Sequence, residues 1–371
     1  MTFLDVLFYA FAVVVFIQVI LYVFFFGKFA FIKPSKRLFN KDIPISIIIC
    51  AKNEAENLKS FLPSILSQQY SNFEIVLIND ASYDETLEVM EHFAEMYQNI
   101  KIVNVKNNEA FWGNKKYALT LGIKASKYNH LLFTDADCKP VSKYWIQEMS
   151  NHFSNEKNIV LGYGAYFKTK KSFLNKLIRF ETLMTAIHYF SFAELGLPYM
   201  GVGRNLGYAK QEFFKANGFI SHIKVRSGDD DLFINQIATK ENTAICVNPY
   251  SFTESNPKTT FKDWFKQKRR HVSTAKFYKL KHKILLASIY ISNLLFWLLG
   301  IFLILFLFHW PLVLGLILFR IIIQYTIIGI SGKKLNENDL LIYTPILEVF
   351  LISFQLAIFI NNLFSKTNHW K

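Results

Sequence analysis

Long apolar segments at the two ends of the chain constrain its fold more than any other feature of the sequence. Between Val6 and Gly27 the only strongly polar residue is Gln18. Near the other end, three further apolar segments occupy residues 284–308, 311–330 and 340–363. A helix needs about 20 apolar residues to cross the hydrocarbon core of a membrane. The sequence therefore predicts an N-terminal membrane anchor within residues 1–30 and about three membrane helices within residues 284–364.

Basic residues around these segments predict their orientation. Lys28, Lys33, Lys36 and Arg37 follow the first segment, whereas only Asp5 precedes it. Because Lys and Arg are enriched in cytoplasmic loops, the residues after the anchor are expected in the cytoplasm. A removed signal peptide is the weaker alternative, since the segment lacks an early basic region and a small-residue cleavage site. We therefore expect a multi-pass protein of the cell membrane whose central part lies on the cytoplasmic side.

Two charged residues, Arg320 and Glu348, fall inside the C-terminal apolar segments. A charge within a membrane is costly, and such residues are usually paired or functional. We predict that these two side chains face each other. The alternative is that one of the segments lies in the membrane interface.

Composition narrows the class of protein further. The 371 residues are 52% hydrophobic and 19% charged, with a formal net charge of +14. This balance excludes a disordered chain. The positive charge alone would be compatible with nucleic-acid binding. However, much of the excess flanks apolar segments and no basic arm with interleaved aromatics is present, so we expect membrane lipids and no nucleic acid as partners. The three cysteines have no C-x-x-C spacing, which argues against a disulfide framework or a zinc site.

Residues 42–280, between the apolar ends, have the pattern of a cytosolic globular domain. Short apolar runs typical of buried parallel strands alternate with segments of helical spacing. The predicted strands are residues 45–50, 73–78, 100–105 and 130–134, and the predicted helices are residues 53–69, 86–97 and 115–126. This alternation predicts an α/β fold with a Rossmann-like sheet, in which ligands bind at the carboxyl ends of the strands.

Polar residues follow three of these strands directly. They are Ala51-Lys52-Asn53-Glu54, Asn79-Asp80-Ala81-Ser82 and Asp135-Ala136-Asp137. Each cluster alone could be a loop or a helix cap, but three at one edge of a sheet predict a ligand site. Asp135 and Asp137 offer the oxygen ligands that a hard divalent cation prefers. No P-loop or G-x-G-x-x-G motif is present, so a metal bridging a nucleotide diphosphate fits better than an ordinary dinucleotide site.

Three further segments are candidates for chemistry. Gly113-Asn114-Lys115 could place an ammonium near a diphosphate, or could be a solvated helix start. Asp229-Asp230-Asp231 precedes an apolar helix, where crowded acids raise at least one pKa as a general base requires. The alternative is an N-terminal helix cap. The basic, aromatic segment at residues 264–271 lies just before the second apolar segment, and the alternative to a functional role is a juxtamembrane anchor.

In this order, the motifs resemble those of membrane-bound members of glycosyltransferase family 2. Asn53-Glu54 is similar to the family's first motif, and Asn79 to Asp84 resembles its D-D-x-S-x-D motif, with Asn79 in place of the first acid. Asp135-Ala136-Asp137 matches its D-x-D motif. Residues 267–271 resemble Q-x-x-R-W, with His271 in place of Trp. The resemblance covers residues 42–275 and implies the GT-A nucleotide-diphospho-sugar transferase fold, a Rossmann-like mixed sheet.

The resemblance also implies roles for individual residues. The donor would be bound by Ala51, Glu54, Asp80, Lys115 and Asp135. Asp135 and Asp137 would hold Mg²⁺ or Mn²⁺. Asp229, or less favourably Asp230, would be the catalytic base. Arg270 would face the departing diphosphate, Gln267 would orient acceptor or donor, and His271 would lie at the acceptor site.

The implied reaction is an inverting, metal-dependent transfer of a sugar from a nucleotide-diphosphate donor to a lipid-linked or membrane-presented acceptor. Two alternatives within the enzymes are a processive polysaccharide synthase and a polyprenyl-phosphate glycosyltransferase. A third alternative is a catalytically silent membrane scaffold with the same fold. The implied partners are a nucleotide-diphosphate sugar, a lipid or glycan acceptor and membrane lipids.

An aromatic-rich segment between Ser172 and Met200 has the spacing of an amphipathic helix. It could pack in the core, or it could lie in the membrane interface and bring a lipid acceptor to the site. Gly203-Arg204-Asn205, which follows it, is a weaker candidate for contact with the acceptor.

Overall fold

The structure is a computed structural model that describes residues 1–33, 42–106 and 115–364. Lys36 and Arg37 of the predicted topology signal, and Gly113 and Asn114 of the predicted lysine segment, lie outside the described residues. The N-terminal apolar segment is one continuous helix, Phe3–Ala30. It consists of α1 (Phe3–Ile20), a π-helical segment (Leu21–Phe26) and α2 (Gly27–Ala30).

The described residues contain four helices that are long and apolar enough to cross a membrane. The first is Phe3–Ala30, and the other three come from the C-terminal apolar segments. These are α11 (Leu280–Leu305), α12 (Trp310–Lys334) and α13 (Thr344–Phe364), the last preceded by a 3-10 segment (Asn338–Tyr343). The sequence prediction of one N-terminal and about three C-terminal apolar helices is thus confirmed as to length and composition.

Arg320 of α12 and Glu348 of α13 form a buried ion pair, as predicted. Arg320 NH2 lies 2.7 Å from Glu348 Oε1, and the Arg320 side chain is fully buried. The guanidinium also donates to Gln18 Oε1 of α1 at 2.9 Å, and Gln324 Nε2 donates to Glu348 Oε1 at 2.8 Å. Since both ions are hydrogen-bonded on several sides, the network holds α1, α12 and α13 together at one level.

Between the apolar ends, strands and helices alternate as predicted through the first half of the domain. The main sheet has seven strands in the order β3-β2-β1-β4-β8-β6-β9. Its strands are β1 (Ile45–Ala51), β2 (Phe73–Asp80), β3 (Ile100–Val105), β4 (His130–Phe133), β6 (Ile159–Leu161), β8 (Leu206–Ala209) and β9 (Thr243–Ile245). β1 to β4 run parallel, whereas β8 is antiparallel to β4 and β6, so the sheet is mixed.

The central strands are continuous apolar runs because both faces of the sheet are covered. In β1, Ile47 and Ile49 pack in one core cluster while Ile48 packs in the cluster on the opposite face. The helices of the domain are α3 (Ala55–Leu66), α4 (Thr86–Met96), α5 (Lys115–Ala125), α6 (Trp145–Ser150), α7 (Phe173–Glu194), α8 (Lys210–Lys215), α9 (Asp231–Ile237) and α10 (Phe261–Val272). A second sheet contains β5 (Cys138–Pro140), β10 (Thr253–Ser255) and β7 (Gly164–Tyr166), in that order.

The helix predicted at residues 53–69 is shorter in the structure, because its first two residues belong to the site loop. Asn53 has a positive φ of 56°, which a continuing right-handed helix does not allow, and α3 starts at Ala55. Ser67 ends the helix as its C-cap. The other predicted helices and strands agree with the structure to within a residue or two at each end.

The aromatic-rich segment forms α7, and core packing is the correct alternative for it. Of its 22 residues, 15 are buried, which leaves no wide apolar face for a membrane interface. Arg179 on this helix is ion-paired with Glu337 and Asp339, which follow α12, and its NH2 lies 2.6 Å from Asp339 Oδ1. α7 therefore joins the mixed sheet to the loop between two of the apolar helices.

Candidate functional site

The three predicted polar clusters meet at one edge of the mixed sheet. The parallel register places Ala51 beside Asn79, so β1 and β2 end at the same level. The loops after these strands are hydrogen-bonded to each other: Asn53 N donates to Ser82 Oγ at 3.0 Å, and Tyr83 N donates to Asn53 Oδ1 at 3.1 Å. These bonds account for the left-handed backbone of Asn53 and fix the first two clusters as one unit.

Asp80, one of the residues assigned to the donor, is a buried acid that lines the cleft. Its side chain is 6% exposed, and within the described part of the chain its buried Oδ2 has no hydrogen-bond partner. Burial raises the pKa of this carboxyl. Glu54 lines the same cleft, and its Oε2 accepts a hydrogen bond from Asn57 Nδ2. Ala51 is buried at the end of β1, so its side chain packs in the core and does not reach the cleft.

Lys115 joins the cluster after β4 to the acids before α9. Its Nζ lies 2.9 Å from Asp135 Oδ1 and 3.1 Å from Asp229 Oδ2. Burial by itself would lower the pKa of this amine, but the two carboxylates outweigh it and raise the pKa well above its usual range. The same ammonium outweighs burial at Asp135 and lowers the pKa of that carboxyl. Lys115 is thus a fixed positive charge between two candidate functional acids.

Asp135 and Asp137 can together hold a metal ion. One oxygen of each carboxylate and the Sγ of Cys138 lie within 4.8 Å of one another. Burial and the neighbouring carboxylates of Asp135 and Glu54 raise the pKa of Asp137. A divalent cation would offset this crowding of negative charge, and carboxylate oxygens suit Mg²⁺ or Mn²⁺. The residues present therefore fit a hard divalent cation.

The three consecutive acids before α9 have different surroundings. Asp229 lines the cleft and pairs with Lys115. Asp230 is the N-cap of α9: its two oxygens accept from Gly203 N and Asp231 N, each at 2.7 Å. Burial, with the charges of Asp229 and Asp231, raises the pKa of Asp230 to about 7. The helix-cap alternative thus describes Asp230, whereas Asp229 remains turned to the cleft.

Asp231 is held by residues that lead into the first C-terminal apolar helix. Its Oδ2 accepts from the hydroxyl of Thr274 and from Tyr278 OH, the latter at 2.6 Å. The side chain is 9% exposed. These contacts give Asp231 a structural role and connect the acid cluster to the chain just before α11.

Gln267, Arg270 and His271 lie on α10 and line the same cleft as the acids. Thr260 is the N-cap of this helix, and its Oγ1 accepts a hydrogen bond from Asp263 N at 3.1 Å. Trp264 anchors the helix: its side chain is fully buried and stacks on Phe354 of α13, with ring centres 4.1 Å apart. Gln267 and His271 follow Trp264 by three and seven positions, so they lie on the same face of the helix, one and two turns further along. The basic segment therefore lines the cleft and is also packed on the apolar helix α13.

His271 lines the cleft, and its side chain is exposed to the solvent there. Desolvation by the surrounding protein and the positive charges of Lys268 and Arg270 hold the pKa of the imidazole well below its usual value. The ring is therefore neutral near pH 7, so it can donate and accept hydrogen bonds but adds no charge to the site.

Two basic residues at or near the site were missed, or treated as weak candidates, in the prediction from sequence. Lys116 is 1% exposed, and its Nζ donates to the carbonyls of His222 and Val225, both at 2.8 Å. The burial of Lys116 could have been predicted from helical spacing, because this residue shares a face of α5 with the buried Leu119 and Ile123. Arg204 lines the cleft and donates to Ala165 O at 2.9 Å, whereas the neighbouring Asn205 is fully buried.

One cleft of about 1250 Å³ is lined by Arg204 and by most of the residues with a predicted role, namely Glu54, Asp80, Lys115, Asp135, Asp137, Asp229, Asp230, Gln267, Arg270 and His271. The cleft begins at the loops after β1, β2 and β4 and passes α7 and α10. It ends at residues of α11 and α13, including Ile289 and Ile352. A cleft at the edge of a mixed sheet, lined by acids, by a carboxylate pair that could hold a metal ion and by basic side chains, suits an anionic ligand.

Part of the chain matches a known protein family. Residues 46–215 match the family Glycosyl transferase family 2. The chain is 31% identical over 124 residues to an uncharacterized glycosyltransferase of Haemophilus influenzae. The aligned segment covers 33% of this chain and 36% of that protein. It is 36% identical over 93 residues to the poly-beta-1,6-N-acetyl-D-glucosamine synthase of Staphylococcus epidermidis, which covers 25% and 21% of the two chains. The matches thus span about a third or less of these relatives.

The fold is similar to that of a mannosyltransferase from Pyrobaculum calidifontis, solved in complex with GDP-Man and Mn²⁺. The TM-score is 0.59 at 16% identity, and the similarity covers 90% of this chain and 99% of the other. Residues 46–215 thus match the family Glycosyl transferase family 2, and the chain has a GT-A-like fold combined with four apolar helices.

Proposed function

We propose that the chain is a glycosyltransferase that moves a sugar from a nucleotide-diphosphate donor to a lipid-linked or membrane-presented acceptor. The observation that carries the proposal is the position of Lys115 between Asp135 and Asp229. It brings a metal-binding acid, a phosphate-binding cation and a candidate base to one point of a family 2 fold. The names of the relatives, which are glycosyltransferases, support the same reaction class.

The donor would lie across the carboxyl ends of the parallel strands. Asp80 and Glu54 would hold the base and the ribose, because both carboxylates line the cleft and can accept hydrogen bonds. Lys115 and Arg270 would face the diphosphate, and Gln267 would orient the donor or the acceptor. Fixed cations at this point stabilise the negative charge that develops on the departing nucleoside diphosphate.

Asp135 and Asp137 would hold Mg²⁺ or Mn²⁺ at the diphosphate. When bound, the cation supplies electrostatic stabilisation of the leaving group. The Pyrobaculum mannosyltransferase was solved with Mn²⁺ and a nucleotide sugar, which supports a divalent ion on this fold.

Asp229 would act as the base. It would take the proton of the acceptor hydroxyl as the hydroxyl oxygen bonds to the anomeric carbon, while the bond from that carbon to the diphosphate oxygen breaks and its electrons leave with the nucleoside diphosphate. Attack from the face opposite the leaving group inverts the configuration. Asp230 is less suited, because both of its oxygens already accept backbone hydrogen bonds. His271, on the wall shared with Gln267, would contact the acceptor.

We further propose a multi-pass cell-membrane protein, with residues 1–30 as anchor, 42–280 as a cytosolic catalytic domain and 284–364 as membrane helices. The four apolar helices and the basic residues after the first of them support this topology. A cytoplasmic site would also meet nucleotide sugars where cells make them.

The test uses the full chain purified in lipid nanodiscs. Binding of UDP- and GDP-sugars is measured by calorimetry with and without Mn²⁺, and transfer is measured with a membrane lipid extract as acceptor. We expect metal-dependent binding of one donor and a product carrying its sugar, with inverted configuration by NMR. Absence of binding and of donor turnover across the panel would favour the silent-scaffold alternative. The number of sugars per product separates single transfer from processive synthesis.

A further inference from the structure

The cleft extends beyond the candidate catalytic residues into the apolar helices. α11 contributes Leu286, Ile289, Tyr290 and Asn293 to its lining. α13 contributes Leu351, Ile352, Gln355 and Phe359. In each helix these residues are three or four positions apart or adjacent, so they form one face. The two faces look into the same cleft that contains the acids.

The walls at this end present mainly hydrocarbon. Glu348 also borders the cleft, but its carboxylate is occupied by Arg320, by Gln324 and by Trp297 Nε1, which donates at 3.2 Å. Asn293 Oδ1 accepts from Arg320 NH2 at 3.1 Å. Because these polar groups are bonded among themselves, a ligand at this end would meet chiefly Leu, Ile, Tyr and Phe side chains.

Tyr290 joins the two helical faces. Its hydroxyl donates to Ile352 O at 3.3 Å, and its ring centre lies 5.6 Å from that of Phe359. Phe359 is 47% exposed on the outer surface of an apolar helix. The boundary of the cleft at this point is therefore also a surface that a membrane would cover.

A polar section lies elsewhere along the same cleft. α7 contributes Glu181, Thr185 and His188 to its lining, and Glu181 is ion-paired with Lys268 of α10. Lys268 is adjacent to Gln267, the residue proposed to orient the substrate. The lining thus combines acids, a polar pair and an apolar end. These three sections match the three parts of an amphiphilic ligand, namely its reactive group, its polar head and its hydrocarbon chain.

We propose that the apolar faces of α11 and α13 bind the hydrocarbon chain of the acceptor, with its polar head near the Glu181–Lys268 pair. This inference rests on the proposed function and names its acceptor class as an amphiphilic lipid that enters the cleft from the membrane between these helices. Continuity of the apolar walls with the cleft at Asp229 selects this occupant, since a water-soluble acceptor would leave them exposed to water.

The test uses the full chain in nanodiscs and a defined probe, a 16-carbon primary alcohol carrying a diazirine near the end of its chain. After illumination, labelled residues are mapped by mass spectrometry. We expect labelling within residues 286–293 and 351–359. Leu351→Trp, which narrows the cleft, should reduce that labelling at least tenfold. Ile346→Trp is the matched control, because Ile346 is 65% exposed on the same helix and does not line the cleft.

A second variant protects the test against misfolding. Gln355→Trp alters a partly exposed residue of the same wall and should also reduce labelling, with the size-exclusion profile unchanged. Labelling spread evenly over the outer faces, or unaffected by both cleft variants, overturns the proposal. Donor binding with Mn²⁺ is measured on the same samples. Absence of donor binding in the wild type contradicts the proposed function. Donor binding by the wild type together with labelling that the cleft variants leave unchanged contradicts the lipid site alone.

Discussion

The ammonium of Lys115 lies 3.1 Å from the carboxylate of Asp229, which links the first helix after β3 to the loop before α9. The same Nζ is 2.9 Å from Asp135, so one side chain sets the spacing of two acids that are far apart in the chain. In a site without donor, this arrangement neutralises part of the acidic cluster. A diphosphate would compete with the two carboxylates for the same cation.

Asp229→Asn should abolish transfer while preserving donor binding. The amide keeps the shape of the side chain but cannot accept the proton of an attacking hydroxyl, and general-base catalysis is worth about 10²–10⁴-fold in rate. The measurement is kcat for transfer together with calorimetric binding of the donor. Asp42→Asn is the control, because Asp42 is exposed and bonded to Ser71 outside the cleft. Full activity of Asp229→Asn would move the base to Asp230.

Asp135→Asn and Asp137→Asn should weaken donor binding itself, and only the metal-dependent part of it. Each change removes one of the anionic ligands of the proposed cation site. We expect the affinity for Mn²⁺ to fall by at least about 10–100-fold, which is the loss when only a hydrogen-bond partner of a metal ligand is mutated. Binding of Mn²⁺ in the absence of donor, followed by electron paramagnetic resonance, gives a direct measurement. Equal affinity in the wild type and both variants would remove the metal from this pair.

Ionisation of Asp230 should lower the free energy of unfolding as the pH rises from about 4 to 7. The pKa of its carboxyl is about 7 in the fold against an ordinary 3.8, chiefly because of burial. In this interval the folded state binds more protons than the unfolded state, so the free energy of unfolding falls with increasing pH. Asp230→Asn should lack this contribution, and its Tm relative to the wild type should rise between pH 5 and pH 8 in EDTA.

Asp84→Asn provides the contrast to Asp230→Asn. The hydrogen bonds from Thr86 and Ala55 outweigh burial and lower the pKa of Asp84. Its contribution to stability is therefore complete above the ordinary pKa and is lost only as the pH falls further. The Tm difference between Asp84→Asn and the wild type should be constant between pH 5 and pH 8. A slope in this variant equal to that of Asp230→Asn would contradict the assignment.

Lys116→Met should slow transfer without weakening donor binding. The variant loses the two hydrogen bonds that fix the backbone at His222 and Val225, a few residues before Asp229. A displacement of about 1 Å in a catalytic group can cost about 10²-fold in rate. Hydrogen exchange over residues 222–228 should accelerate in parallel with the fall in kcat. Lys124→Met, on the exposed side of the same helix, should change neither quantity.

Glu348→Gln should destabilise the protein by about 3–5 kcal/mol, because it leaves the fully buried Arg320 without its counter-charge. The free energy of unfolding can be measured by denaturant titration in detergent micelles. The double variant Arg320→Gln/Glu348→Gln should lose less than the sum of the two single changes, as expected for groups in contact. Strict additivity would show that the pair does not contribute as a unit.

Much of the fold could be predicted from sequence, because its signals are local. The central strands are covered on both faces, so each is a continuous apolar run, and the helices between them show 3.6-residue spacing. The four long apolar helices follow from length alone. The strands β5, β7 and β10 could not be predicted, because each has three residues and pairs only with segments distant in the chain.

The parts of the candidate site that depend on local sequence signals could also be predicted. Polar residues after β1, β2 and β4 had to meet at one edge once the strands were parallel. The distinct roles of Asp229, Asp230 and Asp231 were not predictable, because three adjacent acids are equivalent in sequence and differ only through partners brought from elsewhere, such as Gly203 and Tyr278. The shared cleft with α11 and α13 depends on tertiary packing and has no local signal.

The bond network of Asp231 has a mechanical consequence. Thr274 and Tyr278, which hold its carboxylate, lie in the short link between α10 and α11, and Asp229 is two residues before Asp231 in the chain. A change in the tilt of α11 therefore reaches the candidate base through a single carboxylate. A helix whose apolar stretch is longer than the bilayer is thick can tilt to fit it. With α11 in the membrane as proposed, we expect the distance between Asp229 and Lys115 to change with bilayer thickness, so that the lipid environment would adjust the geometry around the candidate base.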